Sequence, residues 1–193
     1  MMDGDFFLDK NFTRQAITSE TVLLGKEFEN CVFENCSFTG HDLRQAVFSD
    51  CAFTSCDLSL AKLVQTAFRN VVFKDCKMIG LHFEDCNAFG LKMTFDHCNL
   101  SHSSFYKVKL QETNFYEALL HEADFTDAEL KAAVFDHCDL LNAKFENTQL
   151  AKADFSTAYN FSIHPAQNQI SGAVFSKENI TGLLNDFGIQ IIS

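Results

Sequence analysis

From Leu23 to Phe155 a large apolar residue returns at nearly every fifth position, and polar residues fill most of the space between. One block runs Phe28, Phe33, Phe38, Leu43, Phe48, Phe53, Leu58, Leu63, Phe68, Phe73, Met78 and Phe83. A second runs from Phe95 through Leu100, Phe105 and Leu110 to Leu150 and Phe155, alternating Phe and Leu and offset from the first by two residues. A helix repeats every 3.6 residues and a strand every two, so neither keeps a period of five on one buried side. The pattern predicts a solenoid of short repeated units.

Two places before each large residue stands a smaller one: Cys31, Cys36, Ala46, Cys51, Cys56 and Ala61 in the first block, Cys98, Ser103, Ala118, Ala123, Ala128 and Ala133 in the second. Both positions are expected to point at a narrow axis. The remaining three, rich in Asp, Glu, Asn, Ser, Thr and Lys, face water.

Units such as Ala123-Asp124-Phe125-Thr126-Asp127, Cys138-Asp139-Leu140-Leu141-Asn142 and Ala153-Asp154-Phe155-Ser156-Thr157 resemble the pentapeptide-repeat family. Its pattern is a small residue, Asp or Asn, Leu or Phe, then two polar residues. The resemblance implies an all-β fold: a right-handed quadrilateral parallel β-helix with four units per coil. The residues agree in part, since the first block read in fours places like residues at a spacing of 20.

Residues 1–22 lack a clean pentad and are expected to form an N-terminal cap or degenerate coil over an end that would otherwise expose unpaired backbone. Coils are expected over 23–158, with a bulge near 87–94, where the phase slips by two and Gly90 offers a permissive backbone. Residues 159–193 are read as a C-terminal cap with a short helix capped by Ser176 and stopped at Gly188, followed by an apolar tail. In quinolone-resistance members of the family a helix and tail of this kind join two chains. By that resemblance Leu183, Leu184, Phe187, Ile189, Ile191 and Ile192 are candidates for a homodimer interface, capping of the chain's own end being the alternative.

Composition sharpens this picture. The chain has 193 residues, 22 of them Phe, with no Trp. A buried Phe contributes roughly 1.5–3 kcal/mol of transfer free energy, so the ladder needs neither metal nor disulfide. All eight cysteines occupy the small inward position, with no C-x2-C pair of the zinc type. They read as small apolar fillers interchangeable with Ala, in a reducing compartment, although Cys31 with Cys51 and Cys36 with Cys56 are spaced to stack. No basic-then-apolar leader and no membrane-length apolar run is present, so a cytoplasmic protein without a membrane partner is expected.

The net charge is −11, which disfavours direct nucleic-acid binding through phosphates. With 20 residues per coil, the face of Phe33 and Phe53 carries Glu34, Asp75, Asp96, Glu117, Asp136 and Asp154 against Lys74 alone. The next face adds Asp57, Glu122 and Asp139 against Lys77, while the other two hold most of the bases. Such a rod suits a DNA-binding saddle by complementarity. The quinolone-resistance relatives are proposed to engage DNA gyrase and topoisomerase IV in this way, and the resemblance implies the same type II topoisomerase partner here, although this chain lacks the long projecting loops of many such members. The alternative is a scaffold or regulator with another protein partner. Catalysis, cofactors and metals are not expected, because regular outward side chains offer no convergent pocket. His97, Glu117 and His137 fall 20 apart as a surface column, and His41 takes an inward position.

Overall fold

The computed structural model describes residues 4–14, 17–18 and 20–190. It is a parallel β-solenoid whose strands are only two to four residues long. Strands β1 (Phe6–Leu8), β3 (Glu27–Glu29), β5 (Val47–Ser49) and β7 (Ala67–Arg69) form one sheet. Nine others form a second: β2 (Asn11–Thr13), β4 (Val32–Glu34), β6 (Ala52–Thr54), β8 (Val71–Lys74), β9 (Met93–Asp96), β10 (Asn114–Tyr116), β11 (Val134–Asp136), β12 (Asp154–Phe155) and β13 (Val174–Phe175). Every pairing is parallel, and the register puts Phe12, Phe33, Phe53, Phe73, Phe95, Phe115, Phe135, Phe155 and Phe175 in one file. Isolated bridges such as Asp57↔Lys77 and Asp124↔Lys144 mark the remaining two sides. In chain order, face 1 carries Phe28, face 2 Phe33, face 3 Phe38 and face 4 Leu43. At roughly 4.8 Å per strand spacing, the nine-stranded face is about 38 Å long.

The period of five follows from the corners. In most units the residue after the outward pair adopts a left-handed backbone, for example Asn30 at φ 51° and Asp75 at φ 53°. That conformation disfavours L-residues other than Asn and Asp, but here it turns each N–H along the rod toward the next coil. Asn30 N–H donates to Ser49 O at 3.0 Å, and Asn35 N–H to Thr54 O at 2.9 Å. The chain thus bends about a right angle every five residues while its backbone stays paired.

Inside, equivalent rings stack and neighbouring files meet edge to face. Phe33 and Phe53 lie 4.6 Å apart at 12°, whereas Phe28 and Phe33 meet at 5.3 Å and 74°. In the N-terminal half the continuous Phe files are on adjacent faces 1 and 2. In the C-terminal half they are on opposed faces 2 and 4, where Phe83, Phe105, Phe125 and Phe145 stack and face 1 turns to Leu110, Leu130 and Leu150. The change of side coincides with the end of the four-stranded sheet at β7.

Two extra residues enter there. Asn87 N–H donates to Thr66 O in ordinary register, but Lys92 N–H donates to Phe68 O, which places the slip at residues 88–91. Asn87 Oδ1 accepts the Phe89 N–H at 2.9 Å, Gly90 takes φ 70°, and β8 then pairs with β9 at a spacing of 22.

At the other end, the short C-terminal helix expected from Ser176 is instead a pair of 3-10 turns, Ile180–Leu183 and Asn185–Phe187. Ser176 Oγ does accept the Asn179 N–H, at 3.1 Å, and Gly188 closes the segment at φ 61°. The segment is drawn onto the last coil at Gly182, which lies so close to Phe161 that a Cβ there would sit 2.5 Å from its ring and its carbonyl oxygen. Ile163 N–H donates to Gly182 O at 3.0 Å and Asn179 Nδ2 to Ala158 O at 2.6 Å, so the segment is tied to the last coil.

Candidate partner-binding face

Faces 2 and 3 present their outward residues in straight columns. On face 2, Glu34, Asp96 and Asp136 occupy the strand position after the Phe, Asp75 and Glu117 the left-handed corner, and Asp154 the position before the Phe. On face 3, Asp57 and Asp139 share one column, and Glu122 sits at a corner. Between Glu34 and Asp154 the lysines of these faces are Lys74 and Lys77, each beside a carboxylate: Lys74 Nζ is 3.2 Å from Asp96, Lys77 Nζ 3.6 Å from Asp57. The nine-stranded sheet extends one coil further at each end than the columns read from the sequence, and the added units bring Lys10 and Arg14 at one end and Lys177 at the other. The base-poor surface is therefore a central stretch of about 29 Å, six strand spacings, with cationic ends.

Imidazoles stand where the bases are missing. His97 Nδ1 lies 2.6 Å from Asp96 and its Nε2 2.9 Å from Glu117 on the next coil. His137 pairs at 2.7 Å with its own neighbour Asp136 rather than with Glu117, so the expected column of His97, Glu117 and His137 is joined only at its first step. On face 3, His121 Nε2 is 2.7 Å from Asp139 and His102 Nδ1 3.3 Å from Glu122.

These contacts tune the charges. His97 holds the Asp96 carboxyl below its ordinary range; burial opposes this, and Lys74 adds to the lowering. Asp136 is lowered first by the Thr157 hydroxyl, 2.8 Å away, then by His137. For Asp139 burial is the largest single influence and acts upward, yet His121 and Asn160 together outweigh it and leave the carboxyl lowered. His97 in turn is raised, chiefly by Asp96 and then by Glu117.

The cysteines do more than fill space. Seven follow directly on a strand unit, and each donates its S–H to the carbonyl of a large residue one coil back: Cys56 to Phe33 O at 3.3 Å, Cys76 to Phe53 O at 3.4 Å, Cys138 to Phe115 O at 3.3 Å. Thr66, Ser103 and Thr148 use their hydroxyls in the same way. All eight thiols are free and buried. Burial pushes Cys51 and Cys138 up to about 12, and contacts with Cys56 and Cys98, then burial, raise Cys76. These thiols are poor nucleophiles.

His41 is partly buried with Nε2 2.9 Å from Thr18 O. Surface concavities are open grooves, such as one of about 270 Å³ between Phe83, Cys86, Leu91 and Val108. Among the described residues no group of three or more His, Cys, Asp or Glu is placed to hold a metal, and no helix is long and apolar enough to cross a membrane.

The slip at residues 88–91 exposes one residue that the five-residue pattern does not single out. Phe89 is 79% exposed, with the Arg69 guanidinium 5.9 Å from its ring centroid. Its signal in the sequence is a Phe out of phase with both blocks.

A family model described as a pentapeptide repeat region matches residues 26–92 and 89–155. The chain belongs to the pentapeptide-repeat family. Among solved structures, this pentapeptide-repeat chain is similar to a trypsin-treated form of QnrB1, a plasmid-mediated fluoroquinolone resistance protein. The two share 19% identity over 97% of each chain, with a TM-score of 0.63. Full-length QnrB1 gives 18% identity over 95% of this chain and 97% of that one, with a TM-score of 0.61. At these identities the likeness concerns the fold. Comparison with curated protein sequences returned no match.

At the C-terminal end, Leu183 packs against the core and Leu184 is half-buried, whereas Phe187 and Ile189 are 54% and 56% exposed. Ile191 and Ile192 lie outside the described residues. The four described residues of the expected dimer interface thus divide into an intramolecular cap and an exposed apolar pair.

Proposed function

We propose that this pentapeptide-repeat chain is a non-enzymatic, cytoplasmic protein-interaction rod that binds DNA gyrase or topoisomerase IV as a mimic of duplex DNA and thereby modulates fluoroquinolone sensitivity. The observation that carries this reading is the central stretch of faces 2 and 3. There nine carboxylates, from Glu34 to Asp154, meet only two lysines. A duplex of about 29 Å holds roughly 17 phosphates at one per 1.7 Å, so the surplus of seven negative charges gives the stretch about two fifths of the charge density of DNA. A cationic saddle built for DNA is complementary to it in sign and length. The fold is shared with a fluoroquinolone resistance protein, which supports the drug-sensitivity part of this reading.

The second copy in this reading docks through Phe187 and Ile189, the exposed apolar residues that follow the capping leucines. A homodimer doubles the rod about a two-fold axis. Exposed Phe89 favours an alternative, a scaffold with a non-topoisomerase partner, because a rigid, solvent-facing aromatic is a common interface anchor.

The test is a gyrase supercoiling assay with and without a fluoroquinolone. Inhibition of supercoiling, or relief of drug-induced cleavage, at micromolar protein is the expected result. Neither effect, with binding to another protein through Phe89, selects the alternative.

A further inference from the structure

The base-poor stretch is also the part of the molecule richest in imidazole. Four of the seven histidines, His97, His102, His121 and His137, lie on faces 2 and 3, and each stands within 3.3 Å of a carboxylate. On the other two faces permanently charged pairs such as Arg44 with Asp42 at 2.6 Å and Lys109 with Glu129 at 3.6 Å stand beside a single imidazole pair among the described residues, His82 with Glu84 at 3.1 Å. We propose that the four imidazoles are a pH-operated control on the negative charge of the partner-binding stretch, set so that its attraction for a cationic partner weakens as pH falls from about 8 to about 5.5. The inference deepens the topoisomerase reading in naming a regulation of the same surface, yet the charge control stands for any cationic partner.

The electrostatic surroundings are one-sided. His97 faces Asp96 on its own strand, Glu117 on the following coil and Asp75 on the preceding one, with Tyr116 against its ring at 5.2 Å; Lys74 reaches the far oxygen of Asp96. His137 faces Asp136 and the Thr157 hydroxyl column, with Glu117 one coil back. His121 faces Asp139, which also accepts from Asn160, and His102 faces Glu122. Imidazole is the side chain that ordinarily gains or loses its charge between pH 5 and 8. Lys74 and Lys77 keep their charge throughout that range. With nine carboxylates and two lysines, neutral imidazoles leave a surplus of seven negative charges, and four protonations leave three. His97, raised by Asp96 and then Glu117, takes up its proton at a higher pH than an ordinary imidazole.

The experiment measures binding of the full chain to fluorescent decalysine by anisotropy at low salt, from about pH 8 to about pH 5.5. Wild type is expected to lose on the order of tenfold in affinity as pH falls. The His97→Gln, His102→Gln, His121→Gln, His137→Gln variant, checked for fold by circular dichroism, is expected to bind with little pH dependence. A variant with His82→Gln and His164→Gln, both on face 4, is expected to keep the wild-type slope. A flat wild-type profile overturns the proposal, as does loss of the slope in the face 4 variant. Should the fourfold variant not fold, the wild-type and face 4 profiles decide alone. Gyrase binding is measured in parallel at about pH 8. No binding there with the decalysine slope intact rejects the topoisomerase partner and supports the charge control; gyrase binding with a flat decalysine profile does the reverse.

Discussion

At the scale of the residue, the inward small position is a hydrogen-bonding site as well as a space to fill. The thiols of Cys56, Cys76 and Cys138 and the hydroxyls of Thr66, Ser103 and Thr148 all reach a carbonyl on the preceding coil. The spacing of five shows that Cys31 through Cys138 point inward. It does not show the donation, because the acceptor belongs to a residue more than twenty positions away whose carbonyl direction depends on the corner geometry. Two outcomes follow from these surroundings. In the native state the eight thiols are expected to resist dithionitrobenzoate at about pH 8 and all to react in guanidinium, since burial removes access to all of them and disfavours the thiolate of Cys51 and Cys138. Fast native labelling of several would contradict the packing. Leu60 is the second case: it is 65% exposed in a left-handed corner at φ 58°, in the column of Gly40 and Gly80. Leu60→Asn is expected to be stabilising by about 1 kcal/mol in urea unfolding, because Asn tolerates that backbone and little burial is lost.

At the scale of the element, the break and the C-terminal turns are the places where local pattern yields to packing. The slip of two residues is visible in the sequence as a change of phase. Its location where a Phe file leaves face 1 and a new one begins on face 4 emerges only from the register of Phe68, Phe83 and Phe105. The helix expected after Ser176 rests on a sound capping signal and on Leu183 and Leu184. The structure has 3-10 turns there instead, docked through the close approach of Gly182 to Phe161, a contact between distant residues. Gly182→Ala is accordingly expected to cost about 1–3 kcal/mol, read as a lower urea midpoint. No loss would mean that the segment is not docked as described. Phe89→Ala is expected to leave stability within about 0.5 kcal/mol, because its ring is solvent-exposed, while reducing partner affinity if the break is a contact.

At the scale of the whole molecule, the solenoid turns a one-dimensional pattern into charged columns, which is why most of the candidate face was legible in advance. Glu34, Asp75, Asp96, Glu117, Asp136 and Asp154 could be assigned to one side by counting in twenties across a slip of two. The imidazole partners were legible only in part, since side chains choose between a sequence neighbour and a coil neighbour, as His137 does in taking Asp136 over Glu117. The cationic ends were not, because the outermost coils carry no clean pentad. The same carboxylates make stability depend on pH. Asp96, Asp136 and Asp139 are lowered in the folded state, so their contribution is present above the ordinary carboxylate value of about 4 and is lost as pH falls through their folded values. Raised His97 acts in the opposite sense: its contribution is present below the ordinary imidazole value and disappears as pH rises through its folded one. Thermal melts are expected to fall steeply below about pH 4.

The measurement that bears most directly on the acidic stretch as a recognition surface is gyrase affinity for wild type and for the Asp96→Asn, Glu117→Gln, Asp136→Asn variant, each at low and at physiological salt. Wild type is expected to bind more tightly at low salt, and the variant to lose on the order of tenfold or more in affinity and most of that salt dependence while still melting cooperatively, at a temperature lowered by the loss of the Asp96 and Asp136 contacts. Equal affinity of the two proteins for gyrase, with the same response to salt, would contradict it.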